Sequence, residues 1–179
     1  MINERIGELE KAESVFFIDP RDGERYKIVK IGNQIWMAEN FRFKCDGSRA
    51  YRDNQEFIQE YGLLYNRRSS RLVAPEGWHL PSIEEFNQLE KYVGNVNLLK
   101  KKGVWKNDSS KDPFGFAAVP AGYCAQGFCM GLGFFTSYWT SSGSDFYLQG
   151  SYFEIGRLNY DELPDSVVDS ISIRLVQDI

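Results

Sequence analysis

The feature that most constrains this chain is a helix with both ends written into the sequence. In Pro81-Ser82-Ile83-Glu84-Glu85-Phe86, Ser82 stands three residues before Glu85. That is the spacing of a capping box: the hydroxyl accepts from a first-turn N–H and the glutamate reaches back to the cap. Glu84 and Glu85 also suit the positive end of a helix dipole. Phe86, Leu89 and Val93 then recur on one face and Gly94 stops the run. The spacing predicts a helix over 82–93.

Around this helix the signals are mostly those of strands. Val15-Phe16-Phe17-Ile18 is an apolar run, Asp19-Pro20-Arg21-Asp22-Gly23 is turn chemistry, and Tyr26 through Ile31 reads as a second strand. Gly32-Asn33 turns again before Gln34-Ile35-Trp36-Met37-Ala38, which completes an N-terminal β-meander. Short helices are expected at about 54–61 and 64–71, the second ending before Pro75. Residues 2–13 read as a narrow amphipathic helix, so we divide the chain into a helical segment, 1–14, and one domain, 15–179. From Phe114 onward the sequence is Gly-rich, with strands expected at 115–119, 121–124, 137–141, 145–148, 151–157 and 171–176. Ser170 through Val176 alternates polar and apolar, as a half-buried strand does. Lys100-Lys101-Lys102-Gly103 reads as a solvated turn. Helices in the front half and strands in the back favour an α+β class over parallel α/β.

The chain has 179 residues, the size of one domain, and buries roughly 70% of its unfolded surface on folding. With 21 Lys+Arg against 25 Asp+Glu its net charge is −4. Such a mild balance argues against a nucleic-acid partner, which calls for a basic stripe. No apolar run approaches the roughly 20 residues a membrane span needs. The first ten residues hold no apolar leader core, so the sequence itself leaves the compartment open.

Several blocks occur in an order that resembles a known family. They are Asp22-Gly23-Glu24-Arg25-Tyr26 through Asn40, Tyr61-Gly62-Leu63-Leu64-Tyr65-Asn66, and Pro75-Glu76-Gly77-Trp78-His79-Leu80-Pro81-Ser82. Gly115-Phe116, Pro120-Ala121-Gly122-Tyr123, Tyr138-Trp139-Thr140-Ser141-Ser142 and Ser172 through Asp178 follow. Together these resemble the Fibrobacter succinogenes major paralogous domain family over about residues 19–178. The resemblance implies a C-type-lectin-like fold: an N-terminal β-meander, two central helices and a Gly-rich antiparallel C-terminal sheet. It also implies a secreted or surface-anchored bacterial protein without assigned activity. Where relatives often carry Cys before the Gly-Trp-His block, this chain has Ala74.

The expectation that follows is a non-enzymatic binding module for a glycan or protein ligand. In lectin-like folds the C-terminal half supplies the exposed surface. Here Tyr138, Asp145, Tyr147, Tyr152, Glu154, Arg157, Asn159 and Tyr160 interleave rings with charges and amides, the residue types that binding surfaces favour. Trp36, Trp78, Trp139 and Phe153 are assigned to the core. No cofactor is expected. The Glu-Pro-Asn, Gln-Pro-Asp and Trp-Asn-Asp signatures of calcium-dependent sugar binding are missing; Trp105-Lys106-Asn107-Asp108 is interrupted, and Asp161, Glu162, Asp165 and Asp169 read as a solvated loop. His79, the only histidine, reads as a hydrogen-bonded structural residue.

Of the three cysteines, Cys124 and Cys129 stand five apart, and Gln126-Gly127 between them suits a hairpin tip. Unpaired thiols are the leading expectation, with a local disulfide second. A third reading is a copper-thiolate oxidoreductase, since formylglycine-generating oxidases use a similarly spaced pair and soft thiolates suit Cu(I). A structural part of a surface assembly, docking through residues 2–13, is the remaining alternative.

Overall fold

Two tight turns set the front of the fold. The computed structural model describes residues 15–106, 110–142, 145–149, 152–155 and 170–177; for Val96, 145–149 and 152–155 the description is of the backbone. The expected N-terminal helix and the acidic stretch 161–169 lie outside these residues. Strands β1 (Val15–Ile18), β2 (Arg25–Ile31) and β3 (Gln34–Met37) form the expected meander. In the first turn Asp19 is fully buried and accepts from the Arg21 backbone N–H at 3.0 Å and from its guanidinium at 2.6 and 2.9 Å. Burial pushes the Asp19 carboxyl up, but the bonds and charge of Arg21 outweigh that and hold it below its ordinary range. The second turn has two residues, with Gly32 at φ 62°, the position a type II′ hairpin gives to glycine.

After β3 come β4 (Ser48–Arg49), a 3-10 turn at Gln55–Phe57 running into α1 (Ile58–Tyr61), β5 (Leu64–Tyr65), α2 (Arg67–Ser70) and β6 (Trp78–His79). The helix expected at 64–71 is thus split: Leu64-Tyr65 pair as strand, and α2 starts only after Asn66, whose side chain accepts from the Ser69 N–H at 2.9 Å. Helix α3 (Ile83–Val93) carries both bonds of the capping box, from the Glu85 N–H to Ser82 Oγ at 3.2 Å and from the Ser82 N–H to Glu85 Oε2 at 2.7 Å. Gly94, at φ 68°, ends it. The back half holds β7 (Tyr123–Ala125), β8 (Phe128–Met130), β9 (Phe135–Trp139), β10 (Asp145–Gln149), β11 (Tyr152–Ile155), β12 (Ile171–Ser172) and β13 (Val176–Gln177). The class is therefore mixed α+β, mostly sheet with few short helices.

The strands form a five-stranded sheet, β1-β2-β3-β13-β6, a six-stranded sheet, β11-β10-β9-β12-β5-β4, and the β7-β8 hairpin. Pairing is antiparallel throughout the named strands except where β12 meets β9 in parallel at Ser172 and Tyr138. The last eight described residues tie both sheets together. β12 lies between β9 and β5, β13 lies between β3 and β6, and the Met37 and Phe41 N–H groups donate to Leu175 and Ile173 carbonyls at 3.0 Å on the way across.

One apolar cluster gathers Trp36, Phe86, Leu89, Val93, Phe116 and Tyr138 under α3; the other gathers Tyr26, Phe41, Tyr65, Trp78, Trp139 and Leu175. Trp36, Trp78 and Trp139 are all buried, as expected of core residues.

Three expectations are corrected here. Ser170–Val176 is no half-buried strand: all seven residues are buried and pairing breaks at Ile173–Leu175, because the segment runs between two sheets and meets core on both flanks. Residues 115–119 form no strand; Gly115 and Ala117 sit at φ 68° and 54°, and this loop wraps the Arg174 side chain. Lys100 is buried instead of solvated, with its ammonium 4.7 Å from the Trp105 ring centroid, since a long lysine stem packs as an apolar chain.

Candidate functional site

The expected binding residues separate by strand register. Tyr138 is fully buried, contrary to the expectation of surface: it stacks on Phe86 at 6.3 Å and its hydroxyl receives Arg174 at 3.3 Å. Its neighbours on β10 and β11 follow the pleat, in which residues opposite one another share a face. Phe146 pairs with Tyr138 and Ile155, and Leu148 with Thr136 and Phe153. These apolar residues thus occupy the Tyr138 face, on the side where β10 runs against α3. Asp145, Tyr147 and Gln149 occupy the other face, opposite Trp139, Ser137 and Phe135 on β9; Tyr147 and Gln149 also pair with Glu154 and Tyr152 on β11. Four of the eight expected residues, Asp145, Tyr147, Tyr152 and Glu154, therefore fall together on one face of the sheet's outer strands. Arg157, Asn159 and Tyr160 lie outside the described residues.

On β9 this face is covered at Ser137 and at Trp139, both buried, and the Trp139 indole N–H donates to the Tyr65 carbonyl at 2.6 Å. At the other end Phe135 is half-buried and meets the Tyr123 ring at 5.6 Å. Tyr123 leads onto the β7-β8 hairpin. Gln126 and Gly127, at φ 50° and 82°, make its two-residue tip. Two successive positive φ values are those of a type I′ turn. Phe128 and Met130, 74% and 47% exposed, share the Tyr123 face of this hairpin; the Tyr123 hydroxyl donates to Met130 Sδ at 3.0 Å.

The opposite face of the hairpin carries a disulfide. Cys124 and Cys129 are register partners with Cα atoms 4.0 Å apart, and their sulfurs are bonded. Unpaired thiols, the leading expectation for this pair, are thereby corrected. The cause is geometric: the tight tip makes this a non-hydrogen-bonded pair, in which side chains approach most closely. Cys124 instead exchanges both backbone bonds with Ser170, at 3.0 and 2.9 Å. Bonded to each other, the two sulfurs offer no thiolate to Cu(I). Cys45 is the free cysteine, and burial pushes its thiol up from the ordinary range.

Elsewhere His79, Arg174 and Asp112, groups able to do acid-base or ionic chemistry, are engaged in holding the fold. His79 Nε2 lies 2.8 Å from Glu85 Oε1, which ties the histidine to the capping glutamate. Arg174, fully buried, reaches the carbonyls of Met37 at 3.1 Å, Phe116 at 2.6 Å and Ala117 at 3.3 Å, and Asn40 Oδ1 at 2.6 Å. Asp112 accepts from the Ala117 N–H at 3.1 Å, and burial pushes its carboxyl up to about 6 despite the nearby Arg174 charge. Sequence reading missed this hub; the one charged residue of Ser170–Val176 was its one signal.

The match to known proteins fits this frame. The profile of the Fibrobacter succinogenes major domain covers residues 29–177. The chain belongs to that family. The matched span begins in β2 and ends in β13, so the family domain includes the six-stranded sheet, the five-stranded sheet from Val29 onward, the capped helix and the disulfide hairpin. Neither a curated protein nor a solved structure matches the chain. Among the described residues no helix is long and apolar enough to cross a membrane.

Proposed function

We propose that this Fibrobacter succinogenes major domain is a non-enzymatic binding module with a C-type-lectin-like scaffold. It recognises a glycan or protein ligand, without calcium, through the face of β10-β11 that carries Asp145 and Tyr147. The observation that carries the reading is the register, which sorts Asp145, Tyr147, Tyr152 and Glu154 onto one face and the apolar residues of the same strands onto the other. A strand pair in which one face has apolar residues and the other rings and carboxylates is suited to turn the second face to a ligand. Tyrosine covers area there at little entropic cost. Arg157, Asn159 and Tyr160, which come soon after β11 in sequence, are assigned to the same site as part of this reading. The disulfide supports work in an oxidising compartment such as the cell surface, since such bonds persist where thiols are not kept reduced.

The test is a screen of glycan arrays and candidate surface proteins with the wild-type chain, repeated with Tyr147→Ala and Arg157→Ala. The expected result is a ligand whose affinity falls at least about tenfold in each variant, as for ring or guanidinium anchors. A ligand bound equally by wild type and both variants overturns the assignment of this face.

A further inference from the structure

A second site lies on different elements. Between the β1-β2 turn and α1 the structure holds a cleft of about 400 Å³. That is within the range of small-ligand sites, roughly 300–1,000 Å³. One wall is the turn, with Asp22 and Glu24; the floor is the extended segment after β3, with Arg42, Phe43 and Lys44; the other wall is Gln55 with Ile58 and Gln59 on α1.

The turn wall and the floor are fixed before any ligand arrives. The Asp19 N–H donates to the Glu24 carbonyl and the Gly23 N–H to the Asp19 carbonyl, both at 2.8 Å, which locks the turn. The buried Arg42 guanidinium donates to Glu24 Oε2 at 2.7 Å and to the Arg25 carbonyl at 2.6 Å, so it serves as a brace for the rim. The Arg21 guanidinium lies 4.0 Å from the Phe43 ring centroid and backs that ring. Side chains held in this way lose little freedom when a ligand binds.

The chemistry of the lining narrows the ligand. Asp22 and Glu24 are matched in number by Arg42 and Lys44, so the cleft carries no net charge to attract an ion of either sign. It is nevertheless dense in hydrogen-bonding groups. Glu24 Oε2 is held by Arg42 and Asp22 Oδ1 by the Glu24 N–H at 2.9 Å, which leaves the second oxygen of each carboxylate for a donor. Lys44 Nζ meets Gln55 Oε1 at 3.3 Å, and the Gln55 and Gln59 amides add donors and acceptors on the exposed wall. Phe43 and Ile58 give apolar surface between these groups. A molecule that presents hydroxyls, each both donor and acceptor, around apolar C–H faces, and that bears no charge, meets all of these features. We infer that this cleft binds a neutral saccharide.

The experiment titrates the full ¹⁵N-labelled chain with neutral oligosaccharides of mannose, xylose and N-acetylglucosamine, with oligogalacturonate and spermidine as charged controls. Expected are amide shifts confined to Asp22–Glu24, Lys44 and Gln55–Gln59 with at least one neutral sugar and with neither control. Gln59→Ala, at an exposed helix position, and Asp22→Asn each weaken that binding about threefold to tenfold, the range for a lost hydrogen bond. The inference is overturned if none of the neutral sugars shifts these amides, if a charged control binds there more tightly, or if both variants bind as wild type does. Shifts at the cleft are read apart from shifts on β10 and β11, so this inference and the proposed face fail independently.

Discussion

The Arg174 hub and the Tyr147 face of β10-β11 hold similar residue types at different places in the fold. Around Arg174 the partners are internal: three carbonyls, the Asn40 amide and the Tyr138 hydroxyl meet one guanidinium from three separate stretches of chain. On the other face of β10 and β11, register lines up Asp145, Tyr147, Tyr152 and Glu154 along the last two strands of a sheet. A ring or a charge is therefore no sign of recognition by itself. Tyr138 and Tyr147 are nine residues apart in one strand pair, and the pleat assigns one to the interior and the other to the opposite face.

The largest effect that can break this comparison is at the hub. Arg174→Met leaves buried carbonyls without a donor, and we expect a loss of about 3–5 kcal/mol in denaturant unfolding, the scale for breaking a buried charged network. A loss below about 1 kcal/mol would show the hub to be no more internal than a surface pair.

The next effect is a pH dependence. The Asp112 carboxyl sits at about 6 in the folded chain against an ordinary 3.8, so the folded state binds this proton more tightly than the unfolded one. Its contribution is complete below pH about 4 and is lost as pH rises through 6, by at most about 3 kcal/mol at 1.36 kcal/mol per unit. Asp112→Asn keeps the acceptor for the Ala117 N–H and removes the titration. Melting curves should show the variant more stable than wild type at pH 8 and equal to it at pH 4.

Third, removing the disulfide as Cys124→Ala/Cys129→Ala should cost about 2 kcal/mol, since it closes only a short loop in the unfolded chain. The expected consequence is local: faster amide exchange at position 124 and at Ser170, with α3 unchanged. The smallest effect is at the cap, where Ser82→Ala should cost about 1 kcal/mol. Thermal unfolding reads both.

What was legible in the sequence was what neighbours in sequence decide. The capping box, Gly94, the Gly32-Asn33 turn and the Gln126-Gly127 tip each depend on a few adjacent residues, and each stands where the spacing put it. Arg174 was not legible, because its carbonyl partners lie 58 and 137 residues away. The same applies to Ser170–Val176: alternation reports one covered face, whereas this segment is covered on both by sheets that its own sequence does not mention. Lys100 misled for a related reason, since a run of three lysines reads as solvent while the first of them packs over Trp105. For the candidate site the sequence supplied residue types, and register was needed to separate Tyr138 from the rest.

The measurement that goes straight to the proposed recognition face is hydroxyl-radical footprinting of the tyrosines, read residue by residue by mass spectrometry. The account predicts fast oxidation at Tyr147 and Tyr152, slow oxidation at the buried Tyr65 and Tyr138, and protection of the first two when ligand is added. Tyr147 and Tyr152 reacting as slowly as Tyr138 would contradict it.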